Sequence, residues 1–596
     1  MGKEHKFSLR SLFRRGKTAN GSPYDLQLDS SEPVSGPEAF QTATWQNTEQ
    51  TVAMQQRTAN SCATFLDIGS GYSCDRLRML ECREEGCTFC TLILEGHASV
   101  GVGNVIELVL RMDQEPCSVL RARVHDPLGY RNFEFYRSLG HNDADGTPSQ
   151  LSVSRPEKHM VYGRDTIHPQ PLSWIGARPE VAEDGIRHEC LSRARVWLQR
   201  CKEQHKLCSP LHIGSDLPGG FTNYSPNSLP RRVIDVGSVD ELPRLCDFTA
   251  VSAPSKAYAT LSHCWGTHQS YKTERHTLRG RMAGMPWDEI PKTFKDAIIV
   301  ARFLQLRFLW IDSLCIVQDD LNDWAKESSK MSHIYANATI TIAAAAAADD
   351  MRGFLGQRHH LNSPVLHSTD GLIKIRRDIH RDLSEPGRLM TRAWVFQERL
   401  LSRRILYFEE HEMVWECRSA KLCECGSDLT LAKYRLPEQM LTRATEAKFR
   451  EASPLTTYDF THPTKENSET FAWWRETIVH QYTALQLTKW TDRLPALSGL
   501  AAITVAKTQD TYLGGIWKSE LIHGLLWEPN WGNQSPKIPS DYLAPSWSWA
   551  SLPCQISYTR VSPTTELATL VNHDIRLATV DPTGSSLLGY FGCDVT

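Results

Sequence analysis

Between residues 256 and 410 short apolar runs alternate with stretches of helical period, which restricts this region to an α/β arrangement around a mainly parallel sheet. Tyr258–Leu261 predicts the first strand. Phe294, Ala297, Ile298, Ala301 and Leu304 then fall on one helical face, and Thr293 with Asp296 three residues on has the form of a capping box opening that helix. Phe308–Ile311 predicts a strand directly afterwards. Trp324, Ser328, Met331 and Tyr335 recur at helical spacing before the strand TITIA at 339–343. A third unit runs from the helix Ala393–Ser402 into the strand RILYF at 404–408.

A chain of 596 residues exceeds one ordinary core and predicts two to four packed units. Residues 1–60 are poor in periodic apolar positions and rich in Ser, Thr, Gln and Gly, so a disordered tail is expected there. Residues 61–180 form a strand-rich N-terminal unit in this reading, with runs such as Val105–Leu110 and Val119–Val124. A helical lead-in and linker occupy 181–250, the α/β core 251–420, and a mixed C-terminal region packed on the core 421–596. That last part contains a helical stretch with Trp473, Trp474, Ile478 and Tyr482.

With 66 basic against 69 acidic residues, there is no global attraction to nucleic acid. The most apolar stretch, Thr339–Ala348, falls far short of the roughly 20 residues a transmembrane helix needs, so no transmembrane segment is expected. The 17 cysteines are odd in number and follow no cleavable apolar signal, which predicts reduced thiols and a cytoplasmic location.

In an open α/β sheet, ligands bind beyond the carboxyl ends of the strands. Ser262, His263, Cys264, Trp265 and Gly266 follow the first strand, and Asp312, Ser313, Cys315 and Gln318 follow the second. The third helix adds Trp394, Gln397, Glu398 and Leu401 at i, i+3, i+4 and i+7, hence on one face. Each has a plainer use: Trp265 can fill a core gap, Asp312 can cap a helix, and Glu398 can pair with Arg392 or Arg403. Cys264 or Cys315 with His263 or His333 could make a thiol hydrolase, against the default of buried inert thiols. Three groups offer zinc ligands: Cys82, Cys87 and Cys90; Cys201, His205 and Cys208; Cys417, Cys423 and Cys425. Each supplies three ligands and never a paired four-ligand motif, so no metal is expected. Neither a Gly-x-Gly-x-x-Gly after a strand nor a P-loop occurs, so no cofactor is expected either.

Three blocks, YATLSHCWG at 258–266, FLWIDSLCIVQDDLNDWAKESSKMSHIYANATITIAA at 308–344 and RAWVFQERLLSRRILYF at 392–408, resemble the HET domain of fungal heterokaryon-incompatibility proteins in order, spacing and content. LPRRVIDVG at 229–237, DRLPALSGLA at 492–501, GGIWKSELIHGLLW at 514–527 and APSWSWAS at 544–551 are similar to what surrounds that domain, so the resemblance spans about 190–555. It implies a self/non-self recognition factor whose HET domain triggers programmed cell death, with an allorecognition protein as partner and self-association as a further mode. The HET domain is thought to be a distant relative of the TIR domain, several of which cleave NAD. That kinship implies a TIR-like sheet, and Trp394 with Glu398 reproduces the spacing of the TIR tryptophan and glutamate. Glu398 on that comparison, and Asp312 by its place after the second strand, are the catalytic candidates; Ser262, Trp265 and Gln318 after the strands and Trp394 on the helix are the substrate-binding ones. Two readings stand side by side: a non-enzymatic signalling module, and an NAD glycohydrolase (NAD nucleosidase) with NAD as substrate and Glu398 as its carboxylate.

Overall fold

A computed structural model of the chain describes residues 72–74, 107–113, 119–126, 129–138, 177–209, 229–249, 256–266, 271–358, 365–368, 371–377, 387–426, 467–530, 542–559, 568–577 and 586–595, with single positions 80, 84 and 94. The tail expected over 1–60 and the trio Cys82, Cys87 and Cys90 lie outside these residues.

Strands β1 (Tyr72–Cys74), β2 (Glu107–Asp113), β3 (Val119–Asp126) and β4 (Gly129–Ser138) pair successively antiparallel, and β5 (Ala177–Arg178) joins β4 in parallel. Helix α1 (His188–Gln204) follows, then β6 (Arg232–Asp235), β7 (Arg244–Asp247) and β8 (Tyr258–Ser262). Helix α2 (Lys292–Phe303) connects β8 to β9 (Phe308–Trp310). Helices α3 (Leu321–Ser328) and α4 (Met331–Asn337) lead to β10 (Ile340–Ala343). The single helix suggested by Trp324 to Tyr335 is thus two, broken at Ser329 and Lys330.

Strands β11 (Val365–Ser368) and β12 (Gly371–Arg377) then return to the first sheet, β12 pairing with β4. Helix α5 (Ala393–Leu401) precedes β13 (Arg404–Phe408), β14 (Met413–Cys417) and β15 (Lys421–Cys423).

The central sheet has the order β15-β14-β13-β10-β8-β9-β6-β7. Its middle strands β13, β10, β8 and β9 run parallel, while both flanks are antiparallel. The sheet is therefore mixed, where the sequence suggested a mainly parallel one. Loop length is the cause at β13-β14-β15 and β6-β7, because a parallel return needs a crossover of about a dozen residues and these connections are shorter. Every residue of β8, β10 and β13 is buried, as expected of parallel strands covered on both faces. Helix α1 packs on α2 and on β14, and α4 and α5 pack together with helix α6 (Ser498–Thr508) of the C-terminal region. Among the described residues, no helix is long and apolar enough to cross a membrane.

The start of α2 differs from a capping box. Pro291 stands at the N-cap, and no side chain caps there. Thr293 Oγ1 instead donates to the Asp349 carbonyl at 2.8 Å, while Asp296 Oδ2 accepts from the backbone N–H groups of Phe354 (2.7 Å) and Leu355 (3.0 Å). Both side chains thus tie the loop after β10 to α2, a contact between residues 58 positions apart that no local pattern encodes. Removing a buried acceptor leaves two backbone donors unsatisfied, at a cost of about 2–4 kcal/mol. Asp296→Ala should therefore lower the melting temperature by several degrees, and Asp296→Asn by less, as read by differential scanning fluorimetry.

Candidate functional site

Strand β8 connects to β9 on one side, whereas the chain leaving β9 crosses to β10 on the other side of β8. The sheet order reverses between β8 and β10, and the carboxyl ends at such a reversal are where open α/β sheets hold ligands. The loops here are Ser262–Gly266 after β8 and Ala344–Asp350 after β10, with Asp312 one residue past Ile311 at the end of β9. Gly266 has φ +70°, and a Cβ there would overlap the Asp349 side chain, so only glycine lets the two loops close on each other.

Helix α5 is fixed over this edge by a chain of hydroxyls. Thr260 and Thr341, opposite each other on β8 and β10, have their Oγ1 atoms 2.8 Å apart. Thr341 Oγ1 lies 2.6 Å from Ser402 Oγ, which donates to the Glu398 carbonyl at 2.7 Å. Arg392, just before α5, donates to the carbonyl of His263. Glu398 is consequently brought to the end of β8, although it lies 136 residues beyond Ser262 in sequence.

The side chains gathered here are ionisable and mostly dry. Trp265 Nε1 donates to Asp312 Oδ2 at 2.8 Å, and the Ser313 N–H donates to Oδ1 at 2.7 Å. His263 Nδ1 lies 3.8 Å from Asp312 Oδ1, and its Nε2 lies 3.2 Å from Asp350 Oδ1 without the alignment of a hydrogen bond. Burial pushes the Glu398 carboxyl up to about 7; Ser262 and Arg392 pull it down and Asp312 pushes it further up. Burial likewise raises Asp350, against the opposing pull of His263. The hydroxyl of Tyr335 donates to the Leu261 carbonyl at 3.2 Å, and its own pKa is pushed well up by burial and by Glu398. Ser262 Oγ, His263 Nε2, Ser313 Oγ, Asp350 Oδ1 and Glu398 Oε2 are all buried and lack an aligned partner among the described residues. Four of them nonetheless stand in two facing pairs, His263 with Asp350 at 3.2 Å and Ser262 with Glu398, so these buried groups are close to pairing with one another.

Of the residues singled out from the sequence, Glu398, Asp312, Ser262 and Trp265 meet at this edge. The Gln318 side-chain amide is engaged locally, donating to the Asp312 and Ile316 carbonyls at 3.1 Å each. Trp394 does not close over Glu398: its indole donates to Asp492 of the C-terminal region at 3.2 Å. Gln397, next to Glu398, accepts from the Gly499 N–H at 2.8 Å. The thiol candidates are poor nucleophiles, since burial pushes Cys315 up to about 12 and Cys264 up as well. Asp350, Tyr335 and the structural part of Arg392 escaped sequence reasoning. Asp350 follows a low-complexity alanine run that reads as packing, and Tyr335 reads as the core face of a helix.

A carboxyl whose folded pKa is raised stabilises the fold fully below its unfolded value, and that contribution is lost as pH rises through the folded one. For Glu398 the window runs from 4.5 to about 7, and the loss is on the order of 3 kcal/mol. Glu398→Gln has no such titration. Compared with that variant, the wild type should lose stability between about pH 5 and pH 7 and then level off, as measured by urea denaturation across this range.

Residues 258–398 match the family model described as Heterokaryon incompatibility protein (HET). No curated protein and no solved structure matches the chain. The matched span opens on the first residue of β8 and ends on Glu398, so it holds the whole strand-end cluster. Over residues 258–398, about a quarter of the chain, the protein is therefore similar to the HET domain.

Proposed function

We propose that this protein is a heterokaryon-incompatibility factor whose HET domain triggers programmed cell death, and that the strand-end cluster around Glu398 does the work by cleaving NAD. The observation that carries this reading is the gathering of buried polar groups at the sheet reversal, His263, Asp350 and Ser262 with the Glu398 carboxyl, whose pKa burial raises to about 7. Buried ionisable groups with shifted pKa values gather at working sites more than elsewhere. In the proposed step the bond between the nicotinamide nitrogen and ribose C1′ breaks, and its electron pair leaves with nicotinamide. Positive charge then builds on the sugar, where the Glu398 carboxylate stabilises it. Water adds to C1′ and gives up a proton to the carboxylate, yielding ADP-ribose. Asp312 holds the Trp265 indole and lies beside His263, which suits it to shape the site, with Ser262 and Trp265 toward the substrate. The remote kinship of HET and TIR domains points the same way.

A second reading, a signalling module without catalysis that self-associates or binds an allorecognition partner, rests on a different observation. Glu398 is only 6% exposed, and its helix neighbours Trp394 and Gln397 are bonded to the C-terminal region. In that reading α5 is a scaffold and the cluster a specificity device of the core.

Inducible expression in yeast, scoring viability and cellular NAD together, separates the two. Wild-type protein is expected to stop growth with a fall in NAD, and a folded Glu398→Ala variant to spare both. With purified protein, NAD cleavage should rise with pH through about 7, because the carboxylate is the working form. Death with NAD intact, or full toxicity from folded Glu398→Ala, would leave the signalling reading.

A further inference from the structure

Helix α1 ends in three potential ligands. Cys201 lies in its last turn, His205 ends it, and Cys208 closes the tight turn that follows. The helix stops before His205, and the turn that follows brings Cys208 back beside Cys201 and His205. The chain then travels 209 residues before Cys417, the last residue of β14, arrives at the same place. Cys417 was grouped from sequence with Cys423 and Cys425, but the fold separates them: those two sit with Glu412 instead.

The four ligand atoms of Cys201, His205, Cys208 and Cys417 all lie within 4.8 Å of one another. Cys417 Sγ is 3.3 Å from His205 Nδ1. Tetrahedral zinc, with bonds of about 2.3 Å to sulfur and about 2.0–2.1 Å to nitrogen, sets neighbouring ligand atoms roughly 3.5–3.8 Å apart, so small side-chain rotations suffice. All three sulfurs belong to fully buried residues, and the cysteines are free.

Charge supplies an independent argument. Arg404 is buried beside the cluster, with Nε donating to Cys201 Sγ at 3.1 Å, Nη2 to the Cys208 carbonyl at 3.0 Å and Nη1 to the Thr339 carbonyl at 3.3 Å. Among the described residues no carboxylate pairs with Arg404, although a buried guanidinium is normally paired. A divalent ion held by three thiolates and a neutral imidazole carries one net negative charge. Arg404 would balance it and, through Nε, donate the outer hydrogen bond that metal-bound sulfur accepts.

We propose that Cys201, His205, Cys208 and Cys417 form a structural Zn²⁺ site that fastens the end of α1 to the edge hairpin of the HET sheet. The site is closed, with four protein ligands and no position left for water, so its role is to hold the fold.

The test uses the full chain, expressed with zinc supplied and purified reduced without chelator. Elemental analysis should find about one zinc per chain. The double variant Cys208→Ser, Cys417→Ser should hold less than about a tenth of that, and Cys423→Ser should keep it. Because the double variant can fail to fold, wild-type protein is also stripped by chelator and titrated with Co²⁺. One equivalent should produce the strong visible bands of tetrahedral thiolate cobalt and raise the melting temperature by several degrees, while Mg²⁺ does neither. A folded, reduced wild type that is free of zinc and gives no cobalt bands would overturn the site. Zinc retained in the double variant, or a disulfide joining two of these cysteines in the freshly purified chain, would overturn it equally.

Discussion

The parallel strands at the middle of the central sheet have to be covered on both faces, and the described helices packed around them answer that demand. Strands β8, β10 and β13 are buried along their whole length, so the threonines within them need partners inside. Thr260 and Thr341 find each other, and Ser402 extends the chain to the backbone of α5. The same need for cover draws in the C-terminal region. The Ala393 N–H donates to the Gln486 carbonyl at 2.9 Å and the Gln486 N–H to the Thr391 carbonyl at 2.7 Å, so residues beyond the matched HET span help to seat its last helix.

Covering the sheet also sets the electrostatics of its rim. Glu398 reaches the end of β8 on a helix fixed by backbone and hydroxyl contacts, and its side chain is buried there. Its carboxyl is therefore shifted by position more than by any one neighbour. His263 is held between Asp312 and Asp350, with Phe294 edge-on at 5.1 Å and Trp265 stacked at 6.4 Å. Acidic groups thus outnumber the histidine between them, and Arg392, just before α5 and bonded to the His263 carbonyl, supplies positive charge.

At the opposite end of the sheet order, polar atoms bind α1 and the residues before it to the β14–β15 hairpin. Arg358 Nη1 donates to Glu424 Oε2 at 2.6 Å and to the Ala182 carbonyl at 3.1 Å, while Glu424 accepts from the Ala182 and Met413 N–H groups. Cys190 stands against the same pair, its thiol pushed up to about 12 by burial and by Glu424. A buried pair of this kind gains little stability over apolar packing, yet breaking one partner is costly, so it enforces one arrangement of these segments. Trp197 against Trp415, with ring centroids 6.4 Å apart, supplies the apolar part of the same contact.

The sequence alone determined the local elements of the core, because their signals are periodic: the helical face from Phe294 to Ala301 and the strands at 258, 308, 340 and 404 follow from side-chain spacing. It also placed Ser262, Trp265, Asp312 and Glu398 at strand ends or on one helix, since apolar runs that stop at a polar residue mark an edge. Strand direction at the flanks, the tie from Asp296 to the loop after β10, and the partner of Trp394 were left to the tertiary structure. Each depends on segments tens to hundreds of residues apart, and spacing carries no record of which distant backbone will arrive. The clearest case is Cys417, whose nearest cysteines in sequence are not its neighbours in space: strand pairing decides where its sulfur lies, and it lies with Cys201, His205 and Cys208.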